Sequence, residues 1–123
     1  MPDATVLVLG CGIGGVIAAR ETRRLLKANH RVLVVDREPQ GSFPPSYPWV
    51  VVGERRAASL RRARAQLARH GIEFAAADVR QIDLANRYVR ADSREFRYDH
   101  LVIALGADTT LESTPGLAEA AQT

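Results

Sequence analysis

The stretch VLVLGCGIGG, Val6 to Gly15, restricts this chain to very few folds. A continuous apolar run from Thr5 to Leu9 meets a cluster of glycines, and a segment of helical character follows. A short run of this kind reads as a strand buried on both faces, as in a parallel sheet. Gly10, Gly12 and Gly15 satisfy the spacing G-x-G-x-x-G. The first glycine permits a tight turn. The second lets the backbone approach a pyrophosphate, because no Cβ intervenes. The third lets the helix pack closely on the strand. The helix N-terminus then presents free N–H groups and a partial positive charge, and Ile13 and Gly14 are expected to offer such amides.

The spacing gains weight from what surrounds it. Val16 to Ala28 reads as a helix with Val16, Ile17, Ala19, Leu25 and Leu26 on its buried stripe, and Asn29 as its stop. Arg31 to Val35 is a second apolar run and ends in Asp36. Strand, glycine turn, helix and strand follow one another within about 30 residues, the size of a βαβ unit. Asp36 lies about twenty residues beyond Gly15, where a carboxylate accepts hydrogen bonds from both ribose hydroxyls of an adenosine and repels a 2′-phosphate. The bland alternative is an acid in a surface turn. Arg37 has two chemistries open to it, a 2′-phosphate or the adenine face, and the presence of Asp36 favours the second.

Further along, PQGSFPPSYP, Pro39 to Pro48, reads as a rigid loop, because its prolines disfavour both helix and central strand. It carries Phe43 and Tyr47, with Trp49 just beyond, and such aromatics call for a surface to lie on. Glu54 to His70 reads as a helix capped by Gly71, and Ile72 to Ala76 as a third strand. Gln81 to Tyr98 alternates in short segments, with turns at Ala85-Asn86 and Asp92-Ser93, and predicts a small antiparallel meander. Leu101 to Leu105 returns to a buried apolar strand ending at Gly106, and the remainder reads as loop. The fold class expected is therefore α/β: a Rossmann-like βαβ with a parallel sheet and a three-stranded meander at the third crossover.

Composition narrows the function classes. With 123 residues, 46% hydrophobic and 25% charged, the chain has the make-up of one globular domain. No run of about 18 apolar residues is present, and the N-terminus lacks the basic and apolar regions of a signal peptide. These features point to the cytoplasm, and a peripheral membrane protein shares them. The arginines between Arg55 and Arg69 contribute much of the net charge of +3. With alanines and no aromatics between them they read as a solvated helix face, so no nucleic-acid partner is expected. Cys11, the single cysteine, occupies a variable position of the turn and reads as a packing filler. His30, His70 and His100 sit at element ends without the spacing of a metal site, so no metal is expected.

Two segments make the reading specific. Tyr98 to Ala107, YDHLVIALGA, follows the meander, and Ser42 to Gly53, SFPPSYPWVVVG, follows the second strand. The arrangement resembles the N-terminal half-domain of the pyridine nucleotide-disulphide reductase family of flavoproteins. In that family the strand after the meander ends in Ala-Thr-Gly beside FAD. Ala104 and Gly106 match, while Leu105 departs and removes one polar contact. Phe43, Pro45, Ser46, Pro48 and Trp49 are similar to the Phe-x-Pro-Ser-x-Pro-Trp segment of the sulfide:quinone oxidoreductase and flavocytochrome c sulfide dehydrogenase branch. The redox cysteine pair of the disulphide reductases proper is not found in the corresponding region.

The resemblance implies FAD as cofactor. It implies backbone groups near Val79 at the adenine edge, Pro45 and Ser46 near the ribityl and isoalloxazine end, and Ala104 and Gly106 beside the flavin. It also implies an electron path from sulfide to quinone, with the sulfur-handling cysteines and the quinone and membrane contacts in parts of longer relatives that lie beyond this chain. Residues 1–116 then form an incomplete FAD-binding domain and residues 117–123 begin a linker. No residue here is assigned a catalytic role, and the chain alone is expected to bind the ADP part of FAD weakly and catalyse nothing. Two alternatives remain at this point: a type II NADH:quinone dehydrogenase, which shares the FAD half, and a non-catalytic module that senses a nucleotide.

Overall fold

The computed structural model describes residues 3–121. Strand β1 (Thr5–Leu9) leads through the glycine turn into helix α1 (Ile13–Leu25), and the chain returns as β2 (Arg31–Asp36). Next come a two-residue strand β3 (Gln40–Gly41), a 3-10 turn (Pro44–Ser46) and the short helix α2 (Tyr47–Val51). A second 3-10 turn (Ala57–Leu60), a two-residue strand β4 (Arg62–Ala63) and a 3-10 helix (Arg64–His70) bring the chain to β5 (Glu73–Ala76). The meander is β6 (Val79–Asp83), β7 (Tyr88–Ala91) and β8 (Arg94–Arg97), and β9 (His100–Ile103) follows it. The last turn of helix, α3 (Leu117–Ala120), falls where loop and linker were expected, and positions 122 and 123 lie outside the described residues.

The main sheet is parallel, in the order β5-β2-β1-β9. Its two faces are built by simple alternation, since successive side chains on a strand point to opposite sides. Val6, Val8, Val32 and Val34 join Cys11, Ala19, Leu67 and Ile72 in one core, on the side of α1 and the 3-10 helix. Leu7, Leu9, Leu33 and Val35 join Ala77, Val89, Ala91 and Tyr98 in the other, beneath the meander. The central strands are apolar from Val6 to Leu9 and from Val32 to Val35, where both faces are covered. The α/β class, the parallel sheet and the antiparallel meander all stand as the sequence predicts.

Two expectations fail, each for a physical reason. Glu54 to His70 is not one helix. Its alanines favour helix, but tertiary pairing overrides propensity. Arg62 and Ala63 pair with Gly41 and Gln40, and the Arg64 N–H donates to the Pro39 carbonyl (3.0 Å). That tie breaks the run into two 3-10 pieces, although Gly71 does cap the second. Arg55, Arg56, Arg61, Arg62 and Arg69 are exposed as expected but do not share a helix face, and Arg64 is turned inward. Nor is Pro39 to Pro48 without helix. Pro44, Pro45 and Pro48 stand at the first turns of the 3-10 segment and of α2, where the missing N–H has no helical partner to lose. Smaller shifts also occur. Helix α1 begins at Ile13 rather than Val16, and it ends at Leu25, before Asn29. The aromatics of this segment stay about half exposed, and the Arg55 guanidinium lies over the Trp49 ring at 5.8 Å.

The glycine turn is tightly crowded by backbone. Gly10 has φ +94°, and a Cβ there would lie 2.7 Å from the Ala104 carbonyl carbon and closer still to its oxygen. A Cβ on Gly15 would meet the Gly10 carbonyl in the same way. Gly14 differs, because nothing lies within 4 Å of a Cβ built there.

These contacts generate four expectations. Gly15→Ala should destabilise by about 1–3 kcal/mol or more through overpacking against backbone. Gly14→Ala should stabilise by about 0.5–1 kcal/mol, as alanine does in a helix. Urea denaturation of the two variants checks the contrast. Burial pushes the Cys11 thiol up, the Arg64 charge opposing and Asp36 adding to the rise. Cys11 should therefore resist iodoacetamide at neutral pH until the protein unfolds, which mass spectrometry with and without urea measures. Arg31 pairs with Glu73 across β2 and β5 (Nη2 to Oε2, 2.6 Å), and its hydrogen bond lowers the Glu73 pKa. A lowered folded-state pKa contributes stability above the unfolded value, and that contribution is lost as pH falls through the folded one. The pair is largely exposed, so Glu73→Gln should cost under about 1 kcal/mol at pH 7 and nothing in acid, by thermal melts at both pH values.

Candidate functional site

The glycine turn sits where the sheet topology leaves a crevice. Strand β1 lies between β2 and β9, and the connections to these two neighbours leave on opposite faces. In open α/β sheets the carboxyl ends of the strands at such a switch point form the ligand crevice. Here that crevice is drawn together by backbone. The Gly10 N–H donates to the Val35 carbonyl (2.8 Å), and the Ala104 N–H donates to the Leu9 carbonyl (2.8 Å).

Helix α1 points its N-terminus into this space. The first intrahelical bond is Val16 N–H to the Gly12 carbonyl (3.0 Å), and no side chain caps the end. The amides of Ile13, Gly14 and Gly15 therefore precede the helical ladder and carry the positive end of the dipole. Gly12 has an ordinary extended backbone, with φ −75°, and nothing stands within 4 Å of a Cβ there. Neither conformation nor protein packing demands glycine at 12 or 14. Open, side-chain-free backbone at a helix N-terminus is the shape that a pyrophosphate fits.

Asp36 closes one side. Its Oδ2 accepts the Cys11 N–H (2.6 Å), so the acid at the end of β2 is tied to the turn after β1. Its Oδ1 accepts the Glu38 N–H (2.8 Å) and pairs with Arg64 Nη1. Val79 opens β6 nearby, because the Ala77 N–H donates to the Asp36 carbonyl (3.0 Å). Arg37 reaches across the mouth to Asp108 (3.2 Å), just past Gly106. A cleft of about 580 Å³ continues from the turn along α1, and Cys11, Gly12, Ile13, Phe43, Ser46 and Arg64 are among the residues lining it.

The structure thus gathers most of the residues singled out from sequence. Gly10, Gly12, Ile13, Gly14, Gly15, Asp36 and Ala104 form one unit, with Ser46 on the opposite wall of the cleft. Arg37, Val79 and Gly106 stand at the strand ends beside it. Pro45 lies in the same 3-10 turn as Ser46 but is exposed and outside the cleft wall. Arg64 and Gly41 escaped the sequence reading. No local signal separates Arg64 from its arginine neighbours, because what distinguishes it is a partner 28 positions away. Among the described residues, no group of three His, Cys, Asp or Glu side chains is placed to hold a metal ion.

Comparison with known proteins agrees with this geometry. The model of the pyridine nucleotide-disulphide oxidoreductase family matches residues 4–123. A sulfide-quinone reductase of Aquifex aeolicus is 33% identical over 103 residues, covering 82% of this chain and 24% of that protein. A mitochondrial sulfide:quinone oxidoreductase of Mus musculus is 29% identical over 115 residues, covering 93% and 25%. The crystal structure of the Aquifex aeolicus sulfide:quinone oxidoreductase superposes with TM-score 0.79 at 28% identity, over 87% of this chain and 25% of that one. An NDH2 of Plasmodium falciparum shares the fold, with TM-score 0.74 at 18% identity over 94% and 25%. This chain spans about a quarter of the length of the curated relatives it matches. Its switch-point glycine turn, parallel sheet and meander are those of a flavoprotein oxidoreductase, and the chain belongs to the pyridine nucleotide-disulphide oxidoreductase family, whose cofactor is FAD.

Proposed function

We propose that this chain is the FAD-binding part of an oxidoreductase that takes electrons from sulfide and passes them to a quinone. The observation that carries the nucleotide part is the pair of glycines, Gly12 and Gly14, that nothing in the protein explains. They lie in front of free helix amides and beside an anchored carboxylate. In this reading the amides of Ile13, Gly14 and Gly15 hold the pyrophosphate, Asp36 takes the ribose, and the backbone near Val79 meets the adenine edge. Arg37 lies on the adenine face. Ala104 and Gly106 pass beside the flavin, with Pro45 and Ser46 at its ribityl end. FAD supplies the two-electron chemistry when bound; the residues of this chain position it and exclude water around it.

The electron donor and acceptor rest on different support. The run Phe43, Pro45, Ser46, Pro48 and Trp49 is the sequence feature that favours the sulfide branch. Sulfide-quinone reductases also stand among the relatives by sequence. No residue of the chain is proposed as a sulfur nucleophile. Among the described residues no helix is long and apolar enough to cross a membrane, so any contact with a quinone in a bilayer is proposed as peripheral.

Two measurements test this reading. Gly12→Val fills open space, so the melting temperature should hold while affinity for FAD and ADP falls by about tenfold or more, about 1.4 kcal/mol by calorimetry. Unchanged affinity would place the pyrophosphate elsewhere. In the whole flavoprotein, anaerobic sulfide should bleach the flavin absorbance and NADH should not. Bleaching by NADH alone would assign the chain to an NADH:quinone dehydrogenase instead.

A further inference from the structure

Arg64 is unlike the other arginines of its run. Its side chain is only 14% exposed, and it contacts the acid of the candidate nucleotide site directly. Nη1 pairs with Asp36 Oδ1 and also donates to the Glu38 carbonyl (2.9 Å). The backbone is held as well, through the Arg64 N–H to Pro39 and the β3–β4 pairing just before it. Gly41 completes the seat. A Cβ at that position would lie 2.8 Å from Arg64 Nε and 3.1 Å from Nη2, so the absence of a side chain at 41 makes room for the guanidinium. Arg64 is therefore built into the site from three directions.

This placement changes how much of Asp36 a ligand can use. An ionised carboxylate offers about four lone-pair positions. Oδ1 accepts the Glu38 N–H, and the Arg64 guanidinium lies against it as an ion pair, so the approach to its remaining lone pair is occupied. Oδ2 holds the Cys11 N–H and keeps one position open. A ribose that presented both hydroxyls to Asp36, one to each oxygen, would have to displace a packed guanidinium and leave it without its carboxylate.

We propose that Arg64 determines how Asp36 reads a ribose: it occupies Oδ1, leaving Oδ2 to accept one hydroxyl while the other goes unread by this carboxylate. Arg64 is thus a positioning residue that acts through Asp36. The inference rests on the reading that the glycine turn holds an ADP moiety. It departs from the expectation, drawn from the position of Asp36 alone, that both hydroxyls are recognised.

The test compares ADP with 2′-deoxy-ADP and 3′-deoxy-ADP by titration calorimetry on the chain and on Arg64→Met, which keeps an unbranched stem and removes the guanidinium and its donors. For the unaltered chain, one analogue should bind within about twofold of ADP. The other should bind about tenfold more weakly or worse, as expected for a lost hydrogen bond to a charged group. In Arg64→Met both analogues should weaken relative to ADP, because Oδ1 is then free. A merely structural role for Arg64 would weaken all three ligands together and leave their ratios unchanged. Equal losses for both analogues with the unaltered chain, or no loss for either, overturn the proposal, and so does an Arg64→Met variant with unchanged ratios. If the variant does not fold, the two analogues on the unaltered chain still decide. Failure of the unaltered chain to bind ADP at all overturns the nucleotide reading itself and the inference with it.

Discussion

The close approach of three backbone segments at the end of β1 is the constraint on which the rest depends. The chain must leave a central strand, reverse, and start a helix while β9 passes directly alongside. Gly10 meets Ala104, and Gly15 meets the carbonyl of Gly10, at distances that no Cβ would survive. Without that approach α1 would sit further from the sheet, and Val16 and Ala19 would lose their packing on the first core. The helix N-terminus would also lose its place at the switch point. Packing and site geometry are therefore one problem with one solution in this turn.

A second layer of polar ties gives the crevice its chemistry. Asp36 joins the ends of β1 and β2 through the Cys11 amide, and Arg64 joins that acid to a segment far along the chain. A buried charge is costly unless it is paired and hydrogen-bonded, and Asp36 is both. Burial keeps the Cys11 thiol protonated, against the opposing charge of Arg64, which removes the most reactive side-chain type of the turn from the chemistry. What remains for a ligand is open backbone, the positive end of a helix dipole and a carboxylate with limited capacity.

The parts of this architecture that local chemistry decides were legible in the sequence. Apolar runs marked β1 and β2, because strands covered on both faces need no polar positions. A third run marked β9; that strand is not buried as expected, because it lies at the sheet edge and leaves Ile103 and Leu105 exposed. Alternation marked the meander, and its turns fell where Arg87 and Asp92 adopt left-handed backbone. The glycine spacing located the crevice. Legibility failed between Pro39 and His70. There alanines and prolines suggested helix and loop, while the actual structure follows from β3 pairing with β4 and from Arg64 reaching Asp36. Those are contacts between positions more than twenty residues apart, and no window of sequence contains them.

The sequence by itself determined the class of fold, the strand on which the turn is built, and the spacing of the glycines in that turn. It did so because periodicity, turn chemistry and the lack of a Cβ are properties of a few adjacent residues. Only the tertiary structure decided which arginine of the run is turned inward, how the oxygens of Asp36 are shared, and what stands beside position 41. These depend on which distant groups compete for the same acceptor and the same volume, and that competition exists only once the chain has folded.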